Sequence, residues 1–458
     1  MAKKKSVKTP STSPQPMRKA AVKKAASAKS QNEAANKKAV KKKSAQKRRP
    51  ASTTETEAGP PPGISPAVVV WSLGPPTPDR PYLVERILTS DEVHAEYLAR
   101  KSELDARIEH AKEVLERWLP ELKGSRQYQE REITGLSVGY RRKFGEVVSP
   151  LQVVIVVNVA VKHQKVALDK HAYDILPRIR EDVPVKVLEG RFGYLQPKFD
   201  HPKDPLPFGQ DLTGGAPIGS QAHSQQFGTL GVIFQDTVAG LVGLTNQHVV
   251  SKGEATVQLG PVIDVVTDLN EVRLIGRVAE SLKGEFTRPN GTIVNRTVDC
   301  ARIDLDGTGT PHPLEIRGLN AGVGNVFIAK RPVETQDSAL EVWKFGAASG
   351  VVRIGRIDNV NVILARVGTT DFVNTFSVRH RDGNNTFVLE GDSGSALAFK
   401  TRVDNNSAFV LFGLLFAQLD GNPSIGLGCQ IKDVIAPLKL NLDSALFVDQ
   451  WETDPRFV

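Results

Sequence analysis

The sequence predicts an all-β folded body that follows a small α+β region and a disordered basic arm, and three observations carry this prediction. From Gly228 onward, short apolar strands alternate with Gly and Asn turns, and no long helical pattern intervenes before Ile431. Such punctuation favours a β-sandwich or a pair of barrels. A single strong helical stripe lies far upstream, and the first 50 residues hold 17 Lys or Arg against one acid, Glu33. With 458 residues the chain has room for two folded units and a tail.

Taken in chain order, residues 1–50 alternate Lys, Ala, Ser and Pro without an aromatic residue. They cannot bury enough apolar surface to offset their ordering entropy, so disorder is expected. The tail carries +16 of a net +9, which leaves the rest of the chain acidic. It reads either as an electrostatic arm for nucleic acid, acidic lipid or an acidic partner, or as a solubilising tail. Lys41-Lys42-Lys43 and Lys47-Arg48-Arg49 also read as a nuclear address in a eukaryotic host. Residues 51–80, with Pro60-Pro61-Pro62-Gly63, read as a linker.

Ser90 followed by Asp91 and Glu92 starts a helix expected to run to Leu119 and stop at Pro120. Tyr97, Leu104, Ile108, Ala111, Leu115 and Trp118 recur on one face at three- and four-residue spacing. The stripe suits packing on the helix's own domain, and an oligomerisation seam is the alternative. Leu136 to Tyr140 and Val147 to Val161 read as strands, Ala167 to Arg180 as a short helix broken at Pro177, and Val183 to Leu188 as a further strand. A small α+β domain over 81–195 is expected from these elements. Asp200 to Ser224 reads as irregular connection, a closing helix is expected at Ile431 to Leu438, and residues 446–458 read as a C-terminal tail.

Composition excludes several classes. The N-terminus lacks the charged, apolar and small-residue order of a secretory signal, and the longest apolar run, Val153 to Val161, is too short to span a bilayer. Cys300 and Cys429 are the sole cysteines, which suits a reducing, cytoplasmic compartment rather than a disulfide framework. No His, Cys or acidic spacing of a metal site is visible, so no metal or organic cofactor is expected.

The chemistry lies in three strings that occur in the order Thr245-Asn246-Gln247-His248, Val298-Asp299-Cys300-Ala301 and Gly391-Asp392-Ser393-Gly394-Ser395. A serine hydroxyl is a poor nucleophile at neutral pH; acyl transfer requires an imidazole to take its proton and a carboxylate to hold that imidazole's tautomer. His248, Asp299 and Ser393 supply these three types, and the glycines of the last string permit the tight turn that exposes a nucleophile. Asp304 and Asp306 are rival acids, with turn roles before Gly307 as their alternative.

In this order and context the three strings resemble the trypsin-like, chymotrypsin-fold serine peptidases, with the closest look to the HtrA-like and plant narrow-leaf-type cytosolic branch. The resemblance covers about Gly214 to Leu438 and implies a double six-stranded barrel, in a protease domain set at 196–445. It implies an endopeptidase acting on protein or peptide, with His248 as base, Asp299 as orienter, Ser393 as nucleophile and the amides of Gly391 and Ser393 as oxyanion hole. Asp392 is expected to support the nucleophile loop, and Phe387, Phe416, Ala417 and Leu427 to line a pocket for a small or medium apolar side chain. No basic residue followed by Ile-Val-Gly-Gly opens the barrel, so activation by a new N-terminus is not expected. A homo-oligomer is implied by the resemblance alone. The rival reading is a catalytically latent binding or scaffold protein built on the same fold, tethered to nucleic acid by its tail.

Overall fold

The computed structural model describes residues 86–130, 132–143, 146–160, 179, 182–195, 212–220, 227–250, 257–259, 262–263, 270–271, 274–287, 293–305, 310–319, 325–383 and 385–453. The basic arm, the linker, all of the helix expected at 167–180 except Ile179, and the rival acid Asp306 lie outside these residues.

Two sheets roll into barrels. The first runs in the order Gly228–Thr229, Pro217–Ser220, Val257–Leu259, Leu274–Thr287, Ile293–Leu305, Gly240–Thr245 and Val232–Asp236. Its first and last members are separated in the chain only by Leu230 and Gly231, so the sheet closes on itself as a six-stranded barrel with one bent strand. Two strands, Leu212–Gly214, which pairs with Pro311–Ile316 in a separate two-stranded sheet, and Pro217–Ser220 within the barrel, fall where the sequence reads as irregular connection. Backbone pairing overrides the local Pro and Gly content there: Gly214 lies so close to the Gly231 carbonyl that a side chain has no room.

The second barrel joins Glu341–Phe345, Ala396–Val403, Asn406–Leu419, Asn422–Gln430, Thr370–His380 and Val352–Val367, and closes where Glu341–Phe345 pairs back onto Val352–Val367. Its interior is aromatic, with Phe399 stacked on Phe412 at 4.0 Å. Between the barrels lies one buried cluster that includes Phe234 and Leu244 from the first and Phe372, Phe416 and Leu427 from the second. Each such fully buried side chain contributes about 1.5 to 3 kcal/mol.

The hairpin Val352–His380 is longer than the barrel needs, and its far end carries the N-terminal region. Ile133–Tyr140 pairs antiparallel to it, Gly135 opposite Ala365, and Val153–Val159 and Val185–Glu189 continue the sheet. The α+β elements thus share a 12-stranded sheet with the second barrel. The helix reads as two, Ser90–Ala99 and Lys101–Gly124, with Arg100 at the break. Thr89 and Glu92 form a reciprocal capping box, one residue ahead of the expected start. Pro120 does not end the second helix. It lies in the last turn, and Leu122 beyond it is buried against the sheet, an apolar contact that outweighs one lost backbone bond. Tyr97, Leu104, Ile108, Ala111 and Leu115 are all buried on the chain's own sheet.

The strand read as Val147 to Val161 is interrupted at Pro150, which has no N–H for a ladder, and appears as Glu146–Ser149 and Val153–Val159. The closing helix is a single turn, Lys432–Ile435. Residues 446–453 pack against the second barrel: Phe447–Val448 pairs with Val326–Ala329, and the Arg331 guanidinium lies 3.7 Å from the Trp451 ring. No helix among the described residues is long and apolar enough to cross a membrane.

Candidate active site

His248 sits in the one-turn helix Gln247–Val250, directly after the strand Gly240–Thr245. Asp299 lies in the neighbouring strand Ile293–Leu305, which is registered so that Ala301 faces Thr245. These two residues come from the first barrel. Ser393 comes from the second, in the loop that precedes Ala396–Val403. The seam between the barrels therefore brings the three together.

The geometry is continuous. His248 Nδ1 lies 2.7 Å from Asp299 Oδ2, and the His248 amide donates to Asp299 Oδ1 at 3.3 Å. A carboxylate on Nδ1 favours the tautomer with its proton there, which leaves Nε2 as an acceptor. Nε2 lies 2.6 Å from Ser393 Oγ. Asp299 is fully buried and the His248 side chain is 11% exposed. Asp304 stays apart, 2.9 Å from Arg302.

Asn246 is a member of this site that sequence reading passed over. Its Nδ2 donates to the Asp299 carbonyl at 2.6 Å, and its Oδ1 lies 3.0 Å from Ser393 Oγ. The single hydroxyl proton of Ser393 thus has three acceptors in reach: His248 Nε2, Asn246 Oδ1 and, at 3.4 Å, the Phe416 carbonyl. Asn246 stands two residues before His248, and its place in the string was the only available signal.

The nucleophile loop is held from below by a buried ion pair. Lys344 Nζ lies 2.6 Å from Asp392 Oδ2, and both side chains are 0% exposed. Asp392 also accepts the Ser349 amide at 2.8 Å, the Leu389 amide at 3.0 Å and the Ser349 hydroxyl. Burial pulls the Lys344 ammonium below its ordinary value, and the Asp392 charge works against that pull. The sequence pointed to Asp392 as a loop support; Lys344 lies 48 positions away, with nothing local to mark it.

Two glycines shape the loop. Gly391 and Gly394 have φ of +97° and +93°, where side chains are strained. A Cβ on Gly394 would also run into the Thr229 carbonyl and the Thr245 hydroxyl. Among the described residues neither the Gly391 nor the Ser393 amide donates a hydrogen bond within the protein.

The four residues expected to line a pocket are all 0% exposed: Phe387, Phe416, Ala417 and Leu427. Phe416 turns its ring into the core, stacked on Phe372 at 4.3 Å, while its carbonyl lies 3.4 Å from Ser393 Oγ. Ala417 and Leu427 belong to the same cluster between the barrels. Phe387 is in a second cluster, with Val388 and Leu415. Alternation along a strand sends neighbouring side chains to opposite faces, and one-dimensional reading does not fix which face meets the groove. Cys300 and Cys429 are free thiols buried between the barrels, and burial pushes Cys429 up to about 12.

No protein-family model matches the chain, and no curated protein matches it. Among solved structures it is similar to a Nocardiopsis protease at 13% identity, with 51% of this chain and 100% of that chain covered and a TM-score of 0.34. A glutamic acid-specific serine protease that uses a histidine triad in substrate binding is similar at 12% identity, over 51% and 100% of the two chains, with a TM-score of 0.34. The active form of a protease from M. tuberculosis is similar at 15%, over 53% and 93%, with a TM-score of 0.28. Each of these three solved structures is described as a protease.

Proposed function

We propose that the chain is a serine endopeptidase in which Ser393 is the nucleophile, His248 the general base and Asp299 the group that orients it. The observation that carries this reading is the unbroken path from Asp299 Oδ2 through His248 to Ser393 Oγ, with heavy-atom separations of 2.7 and 2.6 Å. These are the distances that proton transfer in acyl transfer requires.

Ser393 Oγ attacks the scissile carbonyl carbon as its proton passes to His248 Nε2. The carbonyl oxygen becomes an oxyanion held by the amides of Gly391 and Ser393, donors worth about 3 to 4 kcal/mol each. His248 then gives its proton to the leaving amine, an ester to Ser393 remains, and water hydrolyses it by the same route. Asp299 stabilises the imidazolium that forms, and the Lys344–Asp392 pair keeps the loop in the shape the oxyanion needs.

Purified protein incubated with a fluorophosphonate, wild type beside Ser393→Ala, tests the reading by intact mass. A stoichiometric adduct on wild type alone supports an assembled nucleophile, base and oxyanion hole. Absence of an adduct overturns it in favour of a latent or scaffold role.

A further inference from the structure

The loop that carries Ser393 is fixed one peptide unit at a time. In the unit between Gly391 and Asp392, the carbonyl accepts the Thr229 hydroxyl at 2.9 Å and the amide donates to the Leu389 carbonyl at 3.0 Å. In the unit between Asp392 and Ser393, the carbonyl accepts the Ser395 amide at 3.0 Å and the Ser395 hydroxyl at 2.5 Å. In the unit between Ser393 and Gly394, the carbonyl accepts the Thr229 amide at 2.7 Å and the amide donates to the Leu415 carbonyl at 2.9 Å. Among the described residues, every polar end of these units has a partner except the Ser393 amide.

Thr229 holds the first and the last of these units, and of the groups that fix the loop it alone comes from the first barrel. It is 0% exposed, and its bonding capacity is filled: the hydroxyl also accepts the Ala347 amide at 3.0 Å, and the carbonyl accepts the Thr245 hydroxyl at 2.7 Å. Thr245 ends the strand that leads to His248. Thr229 is therefore tied on one side to the element that delivers the base and on the other to the loop that delivers the nucleophile. A clamp is needed there because Gly391 has no Cβ to restrict it. With φ of +97°, it can turn its peptide units at little steric cost, and an amide turned away from the oxyanion contributes nothing. A hydroxyl that donates to Gly391 and accepts from Ala347 fixes the unit by two bonds at once.

We propose that Thr229 is a positioning residue for the oxyanion hole, one that draws the Gly391 and Ser393 carbonyls to the first barrel and so leaves the Gly391 and Ser393 amides free for the oxyanion. The inference rests on the peptidase reading above. Thr229 touches neither substrate nor the reacting atoms; it acts through the loop. It also makes the hole a product of barrel docking, since the second barrel carries the donors and the first sets their direction. Gly228-Thr229-Leu230-Gly231 holds no residue type that marks such a role in sequence.

The rate of fluorophosphonate labelling is measured against pH, with urea unfolding alongside, for full-length wild type, Thr229→Val, Thr229→Ser and Thr297→Val. Phe192–Tyr194 pairs with the end of Asn406–Leu419, Phe192 opposite Leu419, and sets the Tyr194 ring 4.9 Å from the His248 ring, while Leu195 packs in the cluster of Phe387 and Val388. A small probe, which needs less room beside His248 than a polypeptide, is therefore used. Thr297 is the control: it is buried on the same seam, and its hydroxyl donates to the Asp371 carbonyl at 3.2 Å and accepts the Val373 amide at 3.1 Å, away from the loop. Thr229→Val keeps the shape without the hydroxyl and is expected to lower the plateau rate by about 10- to 100-fold, up to the low end of what loss of one oxyanion donor brings. The pH midpoint, set by His248, is expected to stay, because the path from Asp299 through His248 to Ser393 is untouched. Thr229→Ser is expected to restore most of the rate, and Thr297→Val to lose similar stability while labelling at the wild-type plateau. Should Thr229→Val fail to fold, Thr229→Ala leaves room for a water between the two stranded partners and is expected to show the same lowered plateau and unmoved midpoint. A plateau equal to wild type in Thr229→Val or Thr229→Ala, a shifted midpoint, no recovery in Thr229→Ser, or an equal loss of rate in Thr297→Val overturns the proposal and leaves the peptidase reading standing. A wild type that does not label overturns both.

Discussion

Asp299 and Asp392 are both fully buried carboxylates, yet they serve opposite ends of the same site. Asp299 belongs to the first barrel and faces an imidazole, which in the proposed mechanism gains and loses a proton. Asp392 belongs to the second and faces Lys344, an ammonium also at 0% exposure, with two backbone amides and a hydroxyl completing its shell. In the proposed mechanism the first carboxylate lowers the energy of a transient cation. The second faces an ammonium that takes no part in the proposed chemistry, and a buried charge left alone is among the costliest defects a core can hold. The comparison teaches that removing partners at the two positions harms different quantities, rate in one case and stability in the other.

The largest effect is expected at the first position. Asp299→Asn removes the orienting charge and permits the wrong tautomer, and it is expected to slow fluorophosphonate labelling by about 10⁴-fold, roughly 5 kcal/mol of barrier, with thermal unfolding little changed. A variant that unfolds instead makes Asp299 structural, like Asp392, and erases the distinction.

At the second position, Lys344→Met strands Asp392 in the core and is expected to cost about 3 to 5 kcal/mol in urea unfolding. Adding Asp392→Leu is expected not to recover this fully, since the Ser349 and Leu389 amides then lose their acceptor. Full recovery in the double variant would reduce the second carboxylate to a simple ion pair.

A third carboxylate sharpens the contrast. Asp358 links the N-terminal region to the second barrel, 2.9 Å from Arg142 and 2.8 Å from Arg379. Burial raises its carboxyl, but the Arg142 and Arg379 guanidiniums outweigh that and hold it at about 2, below the ordinary 3.8. A depressed folded value means that this stability is present above about 4 and lost as pH falls toward about 2. The expected loss in that window is about 2 kcal/mol, read as the difference between wild type and Asp358→Asn in unfolding at each pH. Identical pH curves for the two chains would show that the arginines do not hold the group.

The smallest effect is expected at Asn246. Asn246→Ala removes the 2.6 Å bond to the Asp299 carbonyl and one of three acceptors for the Ser393 proton. About 1 kcal/mol of stability and no more than a tenfold drop in labelling are expected. A loss as large as that of Asp299→Asn would place Asn246 beside the carboxylate as an equal positioning residue.

Much of the site was legible in one dimension, because its chemistry needs particular residue types in short strings. His248, Asp299 and Ser393 each stand in such a string, and the glycines around Ser393 betray a turn with positive φ. The helix face at Tyr97 to Leu115 was equally legible, since a 3.6-residue period survives without knowledge of what it packs on. Pairing between distant segments leaves no such mark. Nothing near Lys344 announces Asp392, and nothing near Phe192 announces Leu419.

The sequence by itself determined the residue types that can run acyl transfer, the strand-rich character of the body and the amphipathic helix, since these depend on local chemistry and periodicity. Only the tertiary structure decided that the N-terminal sheet continues the second barrel, that Phe416 faces the core rather than the groove, and that Tyr194 and Leu195 lie against His248 and the nucleophile loop. Those outcomes follow from register and from which face of a strand meets which neighbour, quantities set by long-range pairing and close packing across the whole core.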